Sequence, residues 1–310
     1  MSGPFVGPDP TVHRRRLRNE LRKAREAAGK TQRDVARAMD WSQSKLIRIE
    51  TGAVNISTND LRALLAHYGV DTARIDAQVD LARAAREQPR WNIYRDVATP
   101  EYISFLGYES SASVVRNFEP LLVPGLLQTE EYAREVLGTI ESGNPQRVDV
   151  LVDLRMQRQE LITRESPPDL HFIMDEAVIR RAVGGPSVTR RQLKHILETS
   201  QYPNVTVRVI PFTQGMYQRL RVPYVLFEFP DPEDEDVLYV ETPTGESIVR
   251  ENSPEERDMI DPVTYLGVFW QLEQIASRDD APGMLESVIA SLERDQGGPL
   301  PTDGARVAAP

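Results

Sequence analysis

Residues 31–52, TQRDVARAMDWSQSKLIRIETG, divide into a short helix, a tight turn and a second short helix that stops at a glycine. Thr31 and Asp34, three residues apart, form a capping box in which two amides at the helix start find partners. Val35, Ala36 and Met39 then share one face at helical spacing. Asp40-Trp41 makes the turn, and Ser42 is a favoured N-cap for the second helix. There Leu46 and Ile49 sit three apart and point inward with Trp41. Gln43, Ser44, Lys45 and Arg48 are left facing outward near the N-terminal end.

That outward set suits a helix lying in the major groove of DNA. A glutamine amide can form a bidentate pair with adenine, an arginine with guanine, and a serine hydroxyl can serve either base. In a helix-turn-helix the N-terminal part of the second helix meets base edges in this way. An ordinary solvated helical hairpin would also show a polar face, and the flanking sequence weighs against it.

Working outward, His13–Arg16 (HRRR) opens a helix that runs to a glycine C-cap at Gly29. Ser57 and Asp60 form a second capping box, opening a helix that carries Leu61, Leu64, Leu65 and Tyr68. Asp71 caps a fifth helix to about Glu87, with Ile75, Val79 and Ala82 on one face. This helix either completes the small domain or serves as a linker and dimer contact.

From Arg14 to about Tyr68 the chain resembles the XRE-type (phage-repressor-like) helix-turn-helix family. The segments that carry the resemblance are LRNELRKAREAAGK, TQRDVARAM, SQSKLIRIETG and STNDLRALLAHYGV, in order. It implies base contacts from Gln43, Ser44 and Arg48, with Lys45 beside them, and a phosphate contact from Gln32. It also implies a buried ion pair between Arg25 and Glu50. Two positions depart from the pattern. Asp40 stands in the turn where glycine is frequent, and aspartate tolerates the left-handed backbone at some cost. Ile47 stands where a small polar residue is frequent. Arg33, Lys45 and the Arg14, Arg15 and Arg16 end are expected to add phosphate contacts.

Three hundred and ten residues suggest about two domains at roughly 150 residues each. There is no cysteine, which excludes disulfides, Cys-based zinc sites and thiol catalysis. MSGPFVGPDP has no basic and apolar run of the secretory kind, and no stretch approaches the roughly 18 apolar residues of a membrane span. A cytoplasmic protein without membrane association is expected. The net charge of −10 is unevenly spread. Between Val12 and Ile56 there are 12 Lys or Arg against 5 Asp or Glu, a net of +7 that leaves −17 for the rest. A basic head on an acidic body confines attraction for phosphate to one end, although solubility alone also favours an acidic body.

Residues 1–12 are rich in proline and glycine and are expected to form a disordered arm. Gln88-Pro89 is expected to close the helix-turn-helix domain (13–88). Beyond it, 89–294 reads as an α+β domain with a small antiparallel or mixed sheet, followed by a flexible tail from 295. Strand-like segments occur at Ser113–Phe118, Leu170–Met174, Val205–Ile210, Tyr224–Phe229, Val237–Glu241 and Ser247–Arg250. Helices are expected from Pro145 through Arg164, over Asp175–Val183 and Thr189–Ser200, and over Pro254–Arg278 and Pro282–Arg294. The acidic segment PDPEDED lies between two of the strands.

FEPLLVPGLLQTEEYA, RMQRQELI, DEAVIRR and PNVTVRVIP resemble the large domain that follows XRE-type heads in actinomycete regulators of the WhiJ type. The resemblance implies a transcription factor, with double-stranded DNA as ligand and a small partner protein encoded nearby, in antitoxin-like or developmental arrangements. A homodimer is expected, because one helix-turn-helix makes few contacts. The body either senses a ligand or docks the partner. The alternative is an antitoxin-like interaction module that binds a small protein and autoregulates its own operon.

No enzyme constellation can be assembled, and no cofactor or metal is expected. His13, His67, His171 and His195 are scattered without metal-ligand spacing. Asp175-Glu176 follows a strand, where catalytic carboxylates can lie, but the pair also suits the start of the next helix. The DPEDED run lacks the glycine turn of a calcium loop. Trp91, Tyr94, Phe118, Leu121 and Leu122 could line an apolar ligand pocket, or could simply be core.

Overall fold

The computed structural model describes residues 8–141, 143–232, 234–242, 245–250 and 261–295. Two compact units make up the chain: one from residues up to Val115 together with Leu226–Val263, the other from Arg116–Val225 together with the chain from Thr264. The helix-turn-helix segment is therefore part of a larger unit that does not end at Gln88.

The first unit opens with five helices: α1 (Pro10–Ala27), α2 (Gln32–Ala38), α3 (Gln43–Glu50), α4 (Thr58–His67) and α5 (Thr72–Ala84). Every one begins at a side chain that accepts a hydrogen bond from its own first turn. Asp9 accepts from the Thr11 amide, Thr31 from Asp34, Ser42 from Lys45, Ser57 from Asp60 and Asp71 from Arg74. Each such cap contributes about 1 kcal/mol. Leu17, Leu21, Val35, Leu46, Ile49, Ile56, Leu61, Leu64, Leu65 and Tyr68 form one core with Ile75, Val79 and Ala82. The fifth helix thus completes the small core.

Of the disordered arm expected over 1–12, Pro10, Thr11 and Val12 are helical instead. Pro10 is the first residue of α1, and the Asp9 cap is fully buried, its amide donating to Ser111 Oγ at 2.8 Å. Proline is pre-organised for a first helical turn, so the helix starts three residues before the basic run. Residues 1–7 lie outside the described residues.

A 3-10 turn at Arg90–Tyr94 leads into α6 (Pro100–Ser111). Gly107 of α6 lies against the start of α1. A side-chain carbon there would meet Thr11 Oγ1 at 2.6 Å and Asp9 Oδ1 at 2.8 Å, so only glycine admits this approach. Phe105 on the same helix packs against Phe227 and Tyr239, with ring centroids 5.3 and 4.5 Å away.

Six strands follow: β1 (Val114–Glu119), β2 (Asp169–Asp175), β3 (Val205–Ile210), β4 (Tyr224–Glu228), β5 (Val237–Thr242) and β6 (Gly245–Arg250). Their order in the sheet is β3-β2-β1-β4-β5-β6. The sheet is mixed: β2 pairs with β3 in parallel, Leu170 opposite Val205, whereas β5 and β6 are antiparallel, Val240 opposite Ser247. The parallel pair needs a crossover, and α10 (Glu176–Arg180) and α11 (Gly185–Thr199) provide it.

The second unit also contains α7 (Glu130–Ile140), α8 (Pro145–Arg158), α9 (Glu160–Thr163), α12 (Pro262–Ile275, from Thr264) and α13 (Ala281–Asp295). The helix expected from Pro145 through Arg164 is broken after Arg158, and the one expected over Asp175–Val183 ends at Arg180. Of the helix expected from Pro254, residues 254–260 lie outside the described residues, as does the tail from 296. Gln192, fully buried on α11, accepts from the Thr129 amide at 2.7 Å and donates to the Leu127 carbonyl at 2.6 Å, fixing the 120–128 loop. The fold is a helical N-terminal region followed by an α+β domain.

Candidate nucleic-acid interface

The turn between α2 and α3 depends on one residue. Asp40 has φ 55° in the left-handed region, and the Trp41 amide returns to the Ala36 carbonyl at 2.8 Å. Ser42 then starts α3, with Leu46 and Ile49 at 0 % and 3 % exposure against the core. The opposite side of α3 is solvent-facing: Gln43, Ser44, Ile47, Arg48 and, just past the helix, Thr51 are all exposed. Positions one, two, five, six and nine form a single stripe at 3.6 residues per turn. It presents an amide, a hydroxyl, an aliphatic branch and a guanidinium.

Behind this stripe the frame is held by Glu50, whose side chain is 4 % exposed. Arg25 Nε donates to Glu50 Oε1 at 2.7 Å, and Arg25 Nη2 donates to Oε2 at 3.2 Å. Gln32 Nε2 donates to Oε2 at 2.8 Å, and Arg25 also donates to the Lys30 carbonyl at 3.0 Å. One carboxylate thus ties the end of α1, the start of α2 and the end of α3. The Gln32 amide nitrogen, which the resemblance assigns to a phosphate, is already engaged by Glu50. Arg33, next to it, is exposed, as is Arg37 on the same helix.

Other residues expected at phosphates are occupied within the fold. Lys45 Nζ lies 3.9 Å from the centre of the Trp41 ring and 3.1 Å from Asp60 Oδ2. Arg14 donates to the carbonyls of Ala85 and Glu87 at 2.7 and 2.9 Å. Arg16 is paired with Asp231. Arg15 is 1 % exposed; its guanidinium lies over the Phe229 ring at 4.3 Å, and Nη2 is 3.9 Å from Asp234 Oδ1. A phosphate cannot reach it, which corrects the expectation for Arg15. The physical reason is the acidic segment that lies between two of the strands. Asp231, Asp234 and Glu235 meet Arg15, Arg16, Asn19 and Lys23 along α1. Opposite charges far apart in sequence found each other, and nothing local in HRRR announced it.

The five residues considered for an apolar pocket are divided between the units. Trp91 and Tyr94 are buried in the first, at 4 % and 8 % exposure. In the second, Phe118 is fully buried against Tyr217 and Tyr224, whereas Leu121 is 53 % exposed. Phe118 is core, filling space rather than lining it. The Asp175-Glu176 pair serves the helix start. Asp175 Oδ1 accepts from the Ala177 amide at 2.8 Å and Oδ2 from the Tyr217 hydroxyl at 2.6 Å. Glu176 accepts from Arg180 Nε and from the Phe212 amide. Among the described residues no three His, Asp or Glu side chains cluster as metal ligands, and no helix is long and apolar enough to cross a membrane.

Sequence reasoning missed two features. Ile47 was noted only as a departure, although its spacing from Gln43 and Arg48 placed it on the same stripe. The acidic cover on α1 had no local signal at all.

Residues 16–78 match the model of a helix-turn-helix domain, a match that points to DNA binding by the head. Residues 102–259 match the family described as a domain of unknown function (DUF5753). This second match covers just over half of the 310 residues, and the chain belongs to that family. No curated protein and no solved structure gives a match.

Proposed function

We propose that this protein is a sequence-specific DNA-binding transcriptional regulator that works in the cytoplasm as a homodimer. The observation that carries the reading is the exposed stripe on α3, backed by a buried apolar face and set by the Glu50 frame. Gln43, Ser44 and Arg48 read base edges, and Arg33 with Arg37 meets the phosphates. Two heads on half-sites about 34 Å apart supply the affinity that one head lacks. The resemblance to XRE-type heads and WhiJ-type bodies supports the same reading, with the body carrying regulation.

The deciding experiment is footprinting and quantitative binding across the chain's own promoter. Arg48→Ala is expected to cost about 1–3 kcal/mol on the preferred site and to relax preference at a single base pair. An equal loss on every sequence would move Arg48 to the phosphate list and remove it from readout.

Ile47 extends the readout. A branched aliphatic group on the exposed stripe suits the C5-methyl of thymine, the one apolar feature of the major-groove edges. Replacing thymine by uracil under Ile47 is expected to weaken binding by about 0.8 kcal/mol, the value of one buried methyl-sized group. Ile47→Ser should lose that discrimination while keeping the Arg48 preference. If no thymine in the site responds, Ile47 makes no methyl contact.

A further inference from the structure

Within the first unit a groove of about 910 Å³ runs between α1, the α4–α5 turn, the start of α5 and the acidic segment ahead of β5. That size falls in the roughly 300–1,000 Å³ range of small-molecule sites. Ala24, Ala28, Leu65 and Val70, packed on the core of the head, give it an apolar floor. Its lining carries five carboxylates against two cations, Lys23 and Arg74. Lys23 answers Glu235 at 3.7 Å, and Arg15, behind the lining, answers Asp234 at 3.9 Å. Glu20 and Asp71 meet neutral donors instead. Glu20 Oε2 accepts from Gln78 Nε2 at 3.4 Å, and Asp71 Oδ1 accepts from the Arg74 amide at 3.0 Å. The groove therefore holds an excess of negative charge, and its apolar floor concentrates the field. Three buried oxygens in the same lining have no hydrogen-bond partner: Tyr68 Oη, Gln78 Oε1 and Asp234 Oδ1. Tyr68 is 8 % exposed, as is the Asp234 side chain. Buried oxygens in folded proteins are normally met by a donor, so three of them along one acidic groove call for a ligand rich in N–H groups.

We propose that this groove binds a linear organic polyamine. An ammonium group brings three N–H donors, a positive charge and no acceptor, which complements orphaned oxygens among carboxylates. The methylene segments between its nitrogens suit the alanine, leucine and valine floor. The spacing fits as well. Asp71 caps α5 and Gln78, which holds Glu20, lies two turns on, about 10 Å away at 1.5 Å per residue. Two ammonium groups joined by methylenes span that distance, whereas a single metal ion cannot. Nothing in this site depends on DNA binding.

The test is calorimetric titration of spermidine, butylamine and magnesium chloride into the full chain, free of DNA, at low ionic strength. Saturable binding of spermidine is expected, at least tenfold tighter than that of butylamine or magnesium. The double variant Glu20→Gln, Asp71→Asn should lose at least tenfold in that affinity. Both changes keep the size of the side chain, and asparagine still caps a helix. Tyr68→Phe removes only a hydroxyl that has no partner in the fold, so it should leave thermal unfolding unchanged and weaken spermidine at least threefold. No saturable binding, or binding that neither change weakens, overturns the site. Magnesium binding as tight as spermidine would mark attraction to net charge alone and overturns it too. So does an equal loss from Asp80→Asn, which removes an exposed carboxylate outside the groove.

Discussion

Arg15→Ala should destabilise the first unit by about 3–5 kcal/mol, the usual cost of removing one partner from a buried ion pair. Arg15 is 1 % exposed and Asp234 only 8 %, so neither charge has recourse to water. The guanidinium is sandwiched in aromatic surroundings, 4.3 Å from the Phe229 ring centre and 5.6 Å from that of Tyr108. Burial already pushes the Asp234 carboxyl above its ordinary value, against the pull of Arg15. Without the arginine that carboxylate keeps only the pull of Arg16 and His13 against the desolvation cost, and the aromatic rings lose the group that fills the space between them. Since a domain is stable by only about 5–15 kcal/mol, the loss should move the urea midpoint far. Arg15→Met with Asp234→Asn removes both charges while keeping most of the volume, and should recover most of the stability. A single-variant loss below about 0.5 kcal/mol, the range of an ordinary surface change, would show that the pair is not the anchor inferred.

Arg25→Ala should cost a similar amount, about 3–5 kcal/mol, for the same reason at the other end of α1. Glu50, 4 % exposed, would lose Arg25 Nε and Arg25 Nη2 and keep only the Gln32 Nε2 donor. This loss differs from that at Arg15 in its second readout. Glu50 closes α3 against α1 and α2, so the base-reading stripe should lose its fixed angle and operator affinity should fall even well below the melting temperature. Arg25→Lys should restore little, because an ammonium cannot supply the two parallel donors of a guanidinium. Thermal unfolding and operator binding measured on the same variants check both parts. Stability lost with operator affinity intact would confine the pair to holding the fold.

The helices of the head were legible because their signals are local. A capping side chain, apolar residues three and four apart and a terminal glycine lie within a dozen residues of each other, and each acts on its own turn. The strands of the α+β domain were legible as segments for the same reason, from short apolar runs between prolines, glycines and acidic residues. Their order and the mixture of parallel and antiparallel pairs were not. Pairing joins Leu170 to Val205 across two intervening helices, and no periodicity within either strand records that choice.

The exposed stripe on α3 was legible in the same local way. Which cations remain for phosphate was not, because that depends on what each cation meets. Arg14 caps the carbonyls that end α5, Arg15 and Arg16 meet Asp234 and Asp231, and Lys45 meets Trp41 and Asp60. From their neighbours in the chain all four read as phosphate contacts.

By itself, then, the order of amino acids determined five helices, four of them with their N-caps, an outward-facing amide, hydroxyl and guanidinium on α3, and an acidic body of helices and strands. Each follows from side chains acting on backbone a few residues away. Tertiary structure alone decided that the acidic loop covers the basic start of α1 and that Glu50 gathers three elements. Charge and shape complementarity act through space, between groups up to some two hundred residues apart in the chain, such as Arg16 and Asp231.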